Sequence, residues 1–116
     1  MRIVVVLALL VPSSLSMAAA PTTGPLISIS TQEYLKLPLD IQALYVAGVI
    51  DGVSYMSYGY SLPDHDAYVK CARTIKLGDL AQRVADWIRA HPKFSEGPAT
   101  AVSKTMGASC GHPSAG

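Results

Sequence analysis

Apolar and polar positions along this chain recur with the helical period, and no stretch carries a convincing period of two. The longest periodic segment runs from Pro38 to Tyr60. Within it Ile41, Leu44, Tyr45, Gly48, Gly52 and Tyr55, followed by Met56 and Gly59, fall at helical spacing on one face. That face is expected to point inward. Pro38 suits a first helical turn, where its missing N–H leaves no donor unpaired. Gly48 and Gly52 lie one turn apart and are expected to form a helix-packing groove. Glycine inside a helix costs roughly 1 kcal/mol against alanine, and close approach of a second backbone is the simplest compensation.

The flanking segments give shorter elements. Ser30-Thr31-Gln32-Glu33 has the form of a capping box, so a short helix is expected from Thr31 to about Lys36, with Tyr34, Leu35 and Leu37 inward. Pro38 biases Leu37 away from helical geometry and ends it. The stretch SLPDHDAYVKCART, from Ser61 to Thr74, reads as a loop. Leu77, Leu80, Ala81, Val84, Trp87 and Ile88 then line one face of a helix whose other face is charged or polar. Pro92 ends that helix near His91, a residue suited to the negative helix terminus. Lys93 to Gly97 connects it to a last helix opened by Pro98, with Ala101, Val102, Thr105 and Met106 inward and Cys110 at its end. The expected fold is all-α: four helices, one of them short and one long and central.

The first residues change the picture by assigning a compartment. Arg2, the apolar run Ile3 to Val11, the break at Pro12 and the small residues Ala18, Ala19 and Ala20 follow the order of a secretory signal peptide. Residues 1–18 are therefore read as a leader, with cleavage after 20 as the alternative, 19–29 as a loose lead-in, 30–110 as the helical domain and 111–116 as a flexible tail. The expected location is periplasmic or secreted. A membrane-spanning reading of the long helix, suggested by its Gly-x-x-x-Gly pattern, is opposed by Asp51 between the glycines, which costs roughly 3 kcal/mol at a bilayer centre. No membrane association is expected once the leader is removed.

Nine Lys and Arg face eight Asp and Glu, and the balance becomes zero without Arg2. No basic stripe exists, so nucleic acid is not an expected partner. Cys71 and Cys110 are the chain's two cysteines, and in an oxidising compartment they are expected to pair. Closing a loop of that length stabilises by about 4 kcal/mol on the chain-entropy reckoning.

Two common signatures of catalysis are missing: there is no His-Glu-x-x-His and no phosphate loop. No catalytic residue, cofactor or metal is expected. Asp64-His65-Asp66 is the one cluster with chemical potential, but three consecutive loop residues rarely converge on one ion. Recognition is the better expectation for loops on a rigid helical frame. Two candidates for partner binding stand out: Asp64, His65, Asp66 and Tyr68 in the first loop, and Phe94 with Glu96 in the second. Phe94, the only phenylalanine, is a candidate hot spot or a core residue. Tyr55, Tyr58 and Tyr60 crowd the end of the long helix, some necessarily outward, where a homodimer would use them.

Taken together, several of these pieces carry a family resemblance. Tyr45-x-x-Gly48-x-Ile50-Asp51-Gly52 resembles the signature helix of the Rap/Tai immunity proteins of type VI secretion amidases. Cys71 ahead of Leu77-Gly78-Asp79-Leu80, the helix ending in His91-Pro92 and the closing helix ending in Cys110 are similar to that family in order and spacing. The likeness covers Glu33 to Cys110. It departs where the family often has Phe-Pro before its last cysteine, since Ala108 and Ser109 stand there, and where it often has a proline soon after the first cysteine, since Ala72, Arg73 and Thr74 follow Cys71. The resemblance implies an exported, disulfide-linked helical protein, often a dimer. Such a protein neutralises an effector amidase sterically, a loop entering the active-site cleft. Two rival classes share the same composition: a periplasmic stress chaperone, and an orphan relative with no amidase partner.

Overall fold

The computed structural model describes residues 29–113. The expected leader, nearly all of the expected lead-in and the last part of the expected tail lie outside the described residues. Among those residues the fold is all-α, with α1 (Thr31–Lys36), α2 (Leu39–Gly59), α3 (His65–Ala72), α4 (Leu77–Ala90) and α5 (Pro98–Cys110). No helix there is long and apolar enough to cross a membrane.

The capping box forms as its residues predict. Ser30 Oγ accepts from the N–H of Glu33 at 3.2 Å, and Glu33 accepts from the N–H of Ser30 at 2.6 Å. These bonds favour the ionised carboxylate and hold Glu33 below its ordinary pKa. Leu37 takes extended geometry ahead of Pro38 and ends α1. Tyr34 pins α1 to α4: its ring is fully buried, and its hydroxyl donates to the carbonyl of Ala81 at 3.2 Å. Burial pushes that hydroxyl's pKa up to about 12. Gln42, buried in the first turns of α2, donates to the carbonyl of Tyr34 at 2.9 Å and so closes the end of α1.

α4 lies at the centre of the bundle, against α2 on one side and α5 on the other. Its inward face is Leu80, Ala81, Val84, Ala85 and Ile88, joined by Ala101, Val102 and Met106 of α5. Both helices match the spacing their sequences predict. The turn between them needs Gly97, whose φ of +94° is a conformation that L side chains rarely adopt. Pro98 then begins α5 as expected. Cys71 and Cys110 form the disulfide, linking positions 39 apart in sequence.

Two expectations are corrected. The Ser61–Thr74 stretch holds a fifth helix, α3, so Cys71 sits inside a helix rather than in a loop. Two turns carrying only Tyr68, Val69 and Ala72 as apolar contacts are too short for periodicity to reveal. The second correction concerns the long helix. Its inward residues are Gln42, Val46 and Ser57, flanked by Val49, Ile50 and Val53, and the face expected to be inward is largely the exposed one. Gly48 and Gly52 are exposed, with no atom outside their own stretch of helix within 4 Å of where a side chain would begin, so they pack against no other helix among the described residues.

Candidate functional site

The corner joining α2 to α3 is where sequence chemistry and surface exposure meet. α2 ends at Tyr60, Ser61 turns the chain with φ at 50°, and Pro63 and Asp64 lead into α3. Backbone bonds from Leu62 to the carbonyl of Ser57 and from His65 to the carbonyl of Leu62, 2.9 and 3.1 Å long, tighten the turn. Ser57 is buried, and its Oγ lies 2.7 Å from Nδ1 of His65 and 3.0 Å from the carbonyl of Ser54. A hydroxyl has one proton to give. Donated to Ser54, it leaves a lone pair on Oγ for an Nδ1–H of His65. The same ring sits 5.7 Å from that of Tyr58. His65 is thus a tether that fixes the start of α3 to the last turns of α2.

Ser57, His65 and Asp66 are a serine, a histidine and an aspartate in sequence order, but their geometry serves the turn. The buried hydroxyl lies 3.0 Å from the carbonyl of Ser54, and Asp66 stands 3.9 Å from Nε2, with its side chain fully in solvent. A triad needs the carboxylate to orient the imidazole and the hydroxyl to be reachable. Among the described residues, no three His, Cys, Asp or Glu side chains converge on a point that would hold a metal ion.

The predicted recognition residues separate. Asp64 and Asp66 are exposed at the corner, and His65 is half-buried beneath them. Tyr68 is a core residue, only 4% exposed, because it is on the inward side of α3; burial raises its pKa. Tyr58 and Tyr60 replace it as the corner's exposed aromatics.

Phe94 lies at the other end of the molecule, half-buried, with its ring edge-on to Trp87 at 4.8 Å. Trp87 is stacked on His91 at 4.0 Å, and Nδ1 of His91 is 2.7 Å from the carbonyl of Trp87, which closes α4. These rings floor a shallow depression of about 620 Å³, rimmed by Lys93, Glu96 and Lys104. Glu96 is exposed there. The two sequence-predicted surfaces are therefore distinct.

Tyr55, Tyr58 and Tyr60 are all exposed at the end of α2, as expected of some of them. What sequence reasoning missed is the rest of that surface: Leu44 is 67% exposed, with Ile41 and Met56 also exposed. The signal was present in a helix apolar on nearly all sides, of which one neighbouring layer can cover only half. Comparison with known proteins yields no match: no family model fits the chain, and no curated protein or solved structure is significantly similar to it.

Proposed function

We propose that this protein is exported and acts by binding, neutralising a type VI secretion peptidoglycan amidase by occupying its active-site cleft. The observation supporting a binding role is the α2–α3 corner. It is exposed, carries two carboxylates and two tyrosines, and is held by the Ser57–His65 bond on a disulfide-linked frame. A preorganised projection loses little entropy on docking, which is what a steric inhibitor requires. Tyrosine is also among the side chains enriched at protein interfaces and their hot spots. The amidase as target rests on the resemblance of the Tyr45 to Gly52 stretch and of the cysteine and His91-Pro92 spacing. The disulfide suits an oxidising compartment.

The test is growth of a host that exports the product of the neighbouring reading frame, with and without this protein co-exported. Lysis alone and rescue by co-export are the expected pair of results. A harmless neighbour, or one that kills regardless, contradicts the pairing. Suppressed aggregation of unrelated proteins at low pH, without rescue, would point to the chaperone class instead.

A further inference from the structure

We infer that the depression over Trp87, at the other end of the molecule from the α2–α3 corner, is a binding site for a small planar aromatic acid. The inference does not rest on the amidase reading. Trp87 and Phe94 are half-buried against the core, whereas His91 is exposed. A carbonyl only accepts, so the 2.7 Å contact between Nδ1 of His91 and the carbonyl of Trp87 places the proton on Nδ1. That bond holds the imidazole flat on the indole, 4.0 Å away and 16° from parallel. Phe94 meets the indole at 89°, and its N–H donates to the carbonyl of His91 at 2.9 Å, which fixes the turn that carries it. The rings are thus set before any ligand arrives, and little ordering entropy is lost on binding.

Size and lining select a small molecule. The depression's volume of about 620 Å³ lies within the range of about 300–1,000 Å³ typical of ligand pockets, which pair apolar walls with a few polar groups. Trp87 covers one face of the His91 imidazole, and the residue is otherwise exposed. A planar ring can therefore continue that stack, or meet Phe94 edge to face, the two arrangements aromatic groups prefer.

Charge selects an acid. Lys93 and Lys104 line the depression with Glu96 as its single carboxylate, and among the described residues neither lysine forms an ion pair. Aromatic walls by themselves would attract a cation. Two ammonium groups against one carboxylate reverse that preference and leave a positive charge for the ligand's acidic group. Phe94 and Glu96, the second set of expected recognition residues, accordingly belong to one ligand site, Phe94 as a wall and Glu96 on the rim.

The test uses the full-length chain expressed with its own leader. Trp87 is the chain's only tryptophan, so its indole N–H gives a single, readily assigned NMR signal. Titration with 2-naphthoate is expected to move that signal with a dissociation constant of about 1 mM or tighter, the strength a ligand of this size reaches. The same ring bearing an ammonium group, 2-naphthylmethylammonium, is expected to bind at least about threefold more weakly. Lys93→Gln with Lys104→Gln, both at exposed positions, is expected to weaken naphthoate binding about fivefold and to remove the preference for the acid, with unchanged circular dichroism. An unmoved Trp87 signal overturns the inference, as does equal binding of the acid and the ammonium by the native chain. A preference for the acid that survives in the variant also overturns it, as do shifts larger at Tyr55 and Tyr58 than at Trp87.

Discussion

α4 and α2 pack against each other, yet they are written by different constraints. α4 turns Leu80, Ala81, Val84 and Ile88 inward and leaves Asp79, Gln82, Arg83 and Asp86 in water, so nearly every position follows from its place in the bundle. α2 does the reverse at several positions. It buries Gln42 and Ser57 and exposes Leu44, Tyr55 and Tyr58. Both buried polar groups are satisfied, Gln42 by the end of α1 and Ser57 by the α3 tether. The inner face of α2 thus orders its neighbours, while its outer face contributes nothing to its own core. Exposed apolar residues grouped on one helix are a surface of the kind that marks interaction sites.

The sharpest break in the comparison comes from removing the staple on the α3–α5 side. Cys71→Ser with Cys110→Ser is expected to lower stability by about 4 kcal/mol in urea unfolding, while the outer face of α2 is left unaltered. Next in size is a paired truncation. Leu80→Ala in α4 is expected to cost about 2–5 kcal/mol, whereas Leu44→Ala in α2 stays within about 0.5 kcal/mol. Equal losses from the two leucines would erase the distinction. Ser57→Ala is expected to cost about 1–3 kcal/mol, since it removes the partner of a half-buried His65, and to speed amide exchange in α3 more than in α4.

The smallest effect lies at the cap of α1, outside both helices compared. Glu33 has a lowered pKa in the folded chain, so its contribution is present above the ordinary carboxylate value of 4.5 and is lost as pH falls through the folded value. Glu33→Gln is accordingly expected to be slightly less stable than the native chain near neutrality. The gap between them closes in acid, and a gap that persists unchanged would mean the carboxylate's charge plays no part in the cap.

The sequence was legible wherever local rules and burial agree. The Ser30–Glu33 cap, the break at Pro38, the inward faces of α4 and α5 and the cysteine pairing could all be read directly. α3 was not legible, because two turns with three apolar contacts give too little periodicity, and Pro63 with Asp64, His65 and Asp66 mimics a loop. The orientation of α2 was not legible either. Both of its sides are apolar, and only tertiary contacts decide that the Val46–Val53 side is the inner one. At the corner the residue types were visible in advance, but their roles depend on direction: Asp64 and Asp66 stay outside, His65 serves as a tether and Tyr68 enters the core.

The central proposal is that the exposed carboxylate of Asp66 at the α2–α3 corner serves a partner and not the fold. It is tested most directly by calorimetric titration of the proposed amidase with the native protein and with the Asp66→Ala variant, urea unfolding being run beside it. The account predicts affinity weakened at least about tenfold, which corresponds to about 1.4 kcal/mol, with an unchanged unfolding midpoint. Unchanged affinity in the variant would contradict it.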